Sequence, residues 1–535
     1  MRRSTLFAAG TLAALTATPA AARDGVRKQI TPYIELGQVL TADLQSGDVL
    51  TYSTVGAGID ATIQTRNVEV QLSYNYQRNI SWQKDVGDDD FHSGLARAAV
   101  RVAPGLSIEG GALATRARSD IRGAAPVNLT ANDQNISQVY SAYVGPRYAT
   151  TVGPASVAAS YQFGYTKVEA PGSTGVAAGS VPLDTFDDSK SHVAQASVGV
   201  APGTVLPIGL TVSAAYERDD AGQLDQRYEG TYGRADAILP VTPTLALAAG
   251  VGYEKITTSQ RDAVVDADGD PVIDSDGRYV TDKSGPRRIA YETDGLIYDA
   301  GVLWRPSPRT FLEARVGKRY GGMTYTGSFS YAASQSVGMK IGVYDSVETF
   351  GRQLRDGISN LPSSFIDQRD TFGQQFAGCT FGQSSEQAGG CLNSVFQSIS
   401  SSSYRARGVD AVIGVNRGPI GFGAGVGYAN RRFYSPRGTS YSIFGLNDES
   451  YYAQAYFSAA LDANSGINAD LYGNYFESGV SRDTPGVYSI GASGSYYRNF
   501  GRVGTTATVG IYNFSQEGID DQTSAQAQVG VRYSF

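Results

Sequence analysis

From about residue 29 onward, apolar residues recur at every second position in short runs along almost the whole chain. The run "VEVQLSYNYQ" at 68–77 is the plainest. Val68, Val70, Leu72, Tyr74 and Tyr76 fall on one side of an extended strand, and Glu69, Gln71, Ser73, Asn75 and Gln77 on the other. The same alternation marks 33–42, 50–64, 91–102, 106–117, 136–150, 155–168, 189–201, 208–218, 226–239, 245–257, 293–305, 310–321, 324–333, 335–344, 404–416, 420–434, 449–461, 466–478, 486–498, 502–515 and 522–535. That predicts about 22 strands, within a range of about 18 to 24 because 118–150 and 219–240 alternate poorly.

The connections alternate too. Tight ones fall at 66–67, 103–105, 152–154, 201–207, 240–244, 305–309, 333–336, 416–419, 462–466 and 499–502, and proline concentrates in them. Every long one (118–135, 169–188, 258–292, 345–403 and 435–448) belongs to the other set. A sandwich has no reason to keep the two sets out of phase, whereas a barrel sends one set to each end. No stretch after residue 22 offers the roughly 18 apolar residues of a membrane helix. In hydrocarbon each unpaired backbone group costs several kcal/mol, so a sheet crosses a membrane only if it closes. The expected fold is all-β: a single transmembrane antiparallel β-barrel over 23–535, with 258–292 and 345–403 as its long extracellular loops.

The opening "MRRSTLFAAGTLAALTATPAAAR" has two arginines, a short apolar run and small residues, and reads as a signal peptide over 1–22. Alternation begins within about ten residues of that site, which leaves no room for an N-terminal plug domain and disfavours a TonB-dependent receptor. The closing "AQAQVGVRYSF" puts Ala527, Val529, Val531, Tyr533 and Phe535 on one face. This ending resembles the C-terminal signature of bacterial outer-membrane barrels. The resemblance implies that Phe535 and Tyr533 are read by the outer-membrane assembly machinery, with the outer membrane and its lipids as destination. "TPYIELGQVLTADL" (31–44) and "VLWRPSPRTFLEARVGKRYGGMTYTGSFSY" (302–331) resemble a family of uncharacterised outer-membrane barrels associated with PEP-CTERM and exopolysaccharide loci. That resemblance implies a polysaccharide context, and no catalytic residue or cofactor.

Composition narrows the chemistry. The net charge is −7, and loss of Arg2 and Arg3 with the signal makes it about −9. No basic patch suggests nucleic acid, and two histidines leave little for a metal. Cys379 and Cys391, the only cysteines, share one polar segment and are expected to form a disulfide in an oxidising compartment.

If the apolar faces meet lipid, the wet faces line a lumen. They carry Glu69, Arg97, Arg101, Asp299, Glu313, Arg315, Arg319, Asp470 and Arg532, with Glu35, Asp60, Glu217, Glu254 and Asp410 among further carboxylates. The excess of carboxylates suggests an aqueous pathway with mild cation preference, set against a solvated wall that selects nothing. Tyr452, Tyr456, Tyr472, Tyr497 and Tyr512 also fall on wet faces, where rings suit either a sugar surface or packing against an inserted loop. His92 adjoins Ser93, but neighbours on a strand point to opposite faces, and His192 has no better company, so an enzyme is not expected. "DADGDPVIDSDG" (266–277) departs from the EF-hand pattern and reads as an acidic loop.

Segment 345–403 is too long for a plain loop. In 350–365, Phe350, Leu354, Ile358 and Leu361 share a helical face that Pro362 ends. Gly421, Gly423, Gly425 and Gly427 clear the lumen face of a neighbouring strand, which marks it as the surface that receives this helix. The segment is expected to fold into the lumen as a constriction, set against a mobile extracellular loop beside glycines that serve only strand curvature. The functional expectation is a passive, porin-like channel for small solutes, linked to extracellular polysaccharide. The alternatives are a non-conducting structural or adhesive barrel and, third, a barrel hydrolase.

Overall fold

The structure, a computed structural model, describes residues 27–83, 89–118, 136–169, 186–274, 278–362, 365–366, 372, 378–384, 387–392, 399–439, 442–479, 486–516 and 519–535. The expected signal peptide and most of connections 118–135 and 169–188 lie outside the described residues.

Among the described residues, 22 strands form one antiparallel sheet that begins with Arg27–Asp43 and ends with Ile519–Ser534. Each strand pairs with its neighbours in order. The first also pairs with the last, from Tyr33 opposite Ser534 to Asp43 opposite Ser524. The sheet is therefore a closed ring with no free edge. All the expected strands are present, and the differences are in length. Strand Arg288–Ser307 starts earlier than alternation alone indicates, because its ladder with Leu245–Gln260 runs on through polar residues to Gln260 opposite Arg288.

Parity along each strand separates two faces. The outward one carries the exposed apolar residues, among them Val212, Val251, Leu296, Val509 and Val529, with Leu296 70% exposed. Short turns gather at one end of the ring, where Gly105 and Gly501 take φ of 77° and 65° that other residues adopt at a cost. Long connections gather at the other end. No helix among the described residues is long and apolar enough to cross a membrane.

The connection between strands Val337–Glu348 and Ser403–Arg417 contains a helix, Phe350–Asn360, and a small sheet of Phe365–Ile366, Cys379–Ser384 and Gln387–Cys391. The Thr349 hydroxyl caps the helix by accepting from the Arg352 amide. This connection is not an outer loop. Its helix packs on the inner faces of Leu106–Arg118, Ile136–Val152, Ala155–Glu169 and Asp188–Val200. Phe372 meets Tyr512 edge-on and Phe381 meets Tyr456, on strands at the far side of the ring. A segment that touches inner faces on opposite sides lies inside. Phe350, Leu354 and Ile358 are fully buried with Leu95, Leu113 and Tyr143.

The segment enters at the long-connection end and descends nearly the full depth. Gln71, near the short-turn end, holds Phe365 twice: its Nε2 donates to the carbonyl at 2.6 Å and its Oε1 accepts from the amide at 2.8 Å.

One part of the wall leans inward. The ladder between Gly322–Ser334 and Val337–Glu348 stops at Gly327 opposite Val343. Beyond it Val347, whose parity is that of outward Val343, packs with Tyr228 and Ile256 from inner faces. Tyr434 stacks on Tyr291 with ring centres 4.3 Å apart, which ties the leaning wall to strand Arg288–Ser307.

Candidate functional site

The candidate site is the ring interior where segment 349–402 meets the wall. Helix residue Arg352 anchors it. Its guanidinium bonds to the Glu217 carboxylate, donates to the Val347 carbonyl at 3.0 Å and lies 3.9 Å from the centre of the Tyr228 ring. The Thr349 hydroxyl donates to Asp219, which is almost fully buried. Arg97 reaches from the wall to donate to the Ser359 carbonyl at 3.0 Å. Two glycines permit this close approach: a Cβ on Gly164 would stand 3.1 Å from Cδ of Arg355, and one on Gly111 2.9 Å from Ile358.

The glycine row at 421–427 has a different tenant from the expected one. The helix packs across the ring, and the row receives the disulfide hairpin. Cys379 and Cys391 are bonded, and a Cβ on Gly425 would meet both sulfurs. Phe381 covers Gly423, and the Cys379 amide donates to Oε1 of Gln454 at 3.1 Å. The physical reason is shape and not reach, because the glycine row lies only two strands from the one that leads into the helix. The bulky apolar face of the helix buries against the side chains of Leu95, Leu113 and Tyr143. The flat hairpin fits a wall without side chains.

The expected wall charges are largely paired with one another. Asp299 binds Arg234 at 2.5 Å and Arg315 at 3.0 Å, and Arg315 also holds Asp236 and Glu313. Arg319 binds Glu254 at 2.6 Å and lies over the Tyr232 and Tyr320 rings. Arg532 reaches Glu35 at 3.2 Å and stacks 3.6 Å from the centre of Tyr33. Glu69 sits opposite Gln64 and Ala99, Asp470 opposite Tyr456 and Ser493, and Arg101 is exposed opposite Ser107.

Of the inward aromatics, Tyr456 is used by Phe381, Tyr512 by Phe372, and Tyr452 bonds to Asp410. Tyr472 packs beside Tyr512, and Tyr497 lies over Gly466. Tyr452, Tyr456, Tyr472 and Tyr512 thus belong to clusters built on the inner segment, and Tyr497 packs on the wall itself. On the outer face His92 bonds to Tyr74 at 2.5 Å and His192 to Tyr161 at 2.8 Å. Phe535 is exposed edge-on to Tyr533, and its amide donates to the Pro32 carbonyl at 3.0 Å. In loop 261–287, Oδ1 of Asp266 accepts from the amides of Asp268 and Asp270, and no group of three metal-ligating residues occurs among the described residues.

No protein-family model and no curated protein matches the chain. Solved structures similar to it include the FrpB iron transporter from Neisseria meningitidis, F5-1 variant, at 11% sequence identity over 96% of this chain and 83% of that one, TM-score 0.42. Another is the siderophore receptor PiuA from Acinetobacter baumannii, at 9% identity over 94% and 82%, TM-score 0.42. A third is the alcaligin outer membrane receptor FauA from Bordetella pertussis, at 11% identity over 94% and 76%, TM-score 0.38.

Sequence reasoning missed Arg352, Arg355, Asp219 and Gln71 as interior anchors. One signal was available: Arg352 and Arg355 share a helical face three residues apart, next to the apolar stripe, where a solvated helix keeps its charges on the opposite side.

Proposed function

We propose that the protein is a transmembrane β-barrel of the bacterial outer membrane, of the transport class, whose aqueous pathway is closed at rest by its own segment 349–402. The outer face supports the membrane reading. Its apolar band is far larger than a soluble surface tolerates, and tyrosines rim it at the long-connection end. Tyr428, Tyr451, Tyr475 and Tyr488 form a ladder across four adjacent strands, with ring centres 4.9, 6.1 and 4.5 Å apart. Phe500 lies outward on the same strand as Tyr488, at the short-turn end. Twelve residues at about 3.3 Å each, tilted about 40°, separate the two rims by about 30 Å, which matches a hydrocarbon core with its interfaces.

One observation carries the closed state: the segment binds the inner wall on opposite sides, through Arg352 on Glu217 and through the disulfide hairpin on Gly425. Flow past a displaced segment is passive in this reading, because paired wall charges make a hydrated path of low selectivity. A non-enzyme fits both histidines, which are held by tyrosines on the outer face.

Single-channel recording in planar bilayers tests the proposal. Glu348 lies opposite Tyr404 in the ladder, so deleting 352–400 leaves a gap that the remaining residues close as a turn. The expected result is an assembled barrel with conductance raised severalfold over the full chain. Conductance no higher than that of the full chain overturns the transport reading in favour of a structural barrel.

A further inference from the structure

The connection from strand Leu245–Gln260 to strand Arg288–Ser307 is built on an internal repeat. "VVDADGDP" (264–271), "VIDSDGRY" (272–279) and "VTDKSGPR" (280–287) each open on Val, with Asp third and Gly sixth. The backbone joins the three in a triangle. The Val272 amide donates to the Val264 carbonyl at 2.8 Å, the Val280 amide to Val272 at 2.9 Å, and the Val264 amide to Val280 at 2.7 Å. Each Asp tightens its own turn. Oδ1 of Asp266 accepts from the Asp270 amide at 2.9 Å, Oδ1 of Asp274 from Arg278 at 3.0 Å, and Oδ1 of Asp282 from Ser284 at 2.8 Å. Bonds that run round a closed triangle hold the repeats together as one module.

The module rests on a strained part of the ring. Ala263 and Tyr279 are buried with Leu224, in the tip between strands Gly209–Ala221 and Arg227–Pro240. Leu224 and Asp225 take φ of 48° and 47°, a conformation that residues with a Cβ keep only where their surroundings force it. The module and its flanks supply that force. The Arg261 amide donates to the Leu224 carbonyl at 2.8 Å, Nε of Arg261 to Asp225 at 2.9 Å, and Arg287 to the Asp225 carbonyl. Lifting the module therefore relieves the tip.

Arg278 opposes lifting, and it is also the link to the ring interior. Its guanidinium donates to the Val168 carbonyl at 3.1 Å and pairs with Asp187 at 3.0 Å. Val168 and Asp187 are bonded to each other, amide to carbonyl, at 2.8 Å. Phe186, the neighbour of Asp187, is buried and meets Phe350 edge-on with ring centres 5.2 Å apart. Val168 belongs to the same apolar cluster, and Phe350 is the first residue of the inner helix. We propose that the module is a latch on segment 349–402. Seated, it clamps the Val168 and Asp187 pair and keeps Phe186 on Phe350. Lifted, it withdraws Arg278, lets Phe186 leave and frees the helix. The inference rests on the placement of segment 349–402 within the ring, and it does not require conduction.

Amide exchange in the purified full-length protein in detergent tests the latch. In Arg278→Ala the amides of 350–361 should exchange about tenfold faster, through local opening that leaves the ring strands protected. Asp187→Asn, which leaves every residue of the module in place, should raise exchange at the same amides. Phe186→Ala frees the helix directly, so adding Arg278→Ala to it should bring no further rise. That lack of additivity separates a latch acting through Phe186 from general loosening. Helix exchange equal to that of the wild type in Arg278→Ala, or a full further rise in the double variant, overturns the proposal. Should Arg278→Ala fail to assemble, judged by heat-modifiable migration, Asp187→Asn decides in its place, and unchanged helix exchange there overturns the proposal. Faster helix exchange alongside an unchanged conductance of the 352–400 deletion removes the transport reading and keeps the latch. The reverse pair of results removes the latch alone.

Discussion

Gly425 and Cys379 touch inside the ring: a Cβ on the glycine would stand 2.7 Å from the Cys379 sulfur and 3.0 Å from that of Cys391. The glycine lies on a ring strand and the cysteines on the inner segment, so one side chain at this position pushes the two apart. Gly425→Leu is expected to cost the hairpin about 1–3 kcal/mol, the usual penalty for overpacking. The ring should still assemble, and bilayer recordings should show more frequent opening than the wild type. Unaltered opening contradicts the contact.

Arg352→Ala removes the ion pair to Glu217 and the stack on Tyr228 together. Stranding one partner of a buried pair costs about 3–5 kcal/mol. Amide exchange at 350–361 should rise by orders of magnitude while the ring strands keep their protection. Arg352→Lys retains charge without the planar stack and should fall between. Exchange in the helix equal to that of the wild type would show that the anchor lies elsewhere.

At the closing strand, Phe535→Asp should lower the amount of assembled protein in the outer membrane far more than Arg532→Ala does. Phe535 is on the outward face with Tyr533, whereas Arg532 points inward to Glu35. Equal surface levels, measured by heat-modifiable migration in membrane fractions, contradict the assignment.

Depth on the outer face makes a fourth prediction. Val509 is midway along its strand and Tyr488 at a rim. Arginine at Val509 should destabilise the folded protein in lipid vesicles by about 2–4 kcal/mol, and at Tyr488 by about 0–1 kcal/mol. Equilibrium unfolding measures both, and the reverse order rules out the membrane placement.

The strands were legible in the sequence because a half-wet strand writes its period into the chain, as at 68–77. The inner helix was legible for the same reason, at a period of 3.6 residues. Its resting place was not, because Gly421 to Gly427 mark a wall without side chains and do not say whether a helix or a hairpin fills it. Arg352 and Glu217 are 135 residues apart, and nothing local in either stretch points to the other. The inward lean was hidden as well: Val347 and Tyr434 keep the parity of outward residues, and only the short hairpin beside them lets that face turn inward. Parity encodes the face of a strand and is silent on where the strand bends.

The disulfide imposes an order of events in time. Cys379 has no exposed surface, walled in by the glycine row, Phe381 and Tyr452. While the segment is seated, Cys379 offers no surface to an oxidase or a thiol reagent. Both cysteines leave the ribosome well before Phe535, whose strand is the one that seals the sheet against Arg27–Asp43. A bond made on the open chain needs no later movement, whereas a chain that seals with two thiols has to unseat its hairpin before they can be oxidised.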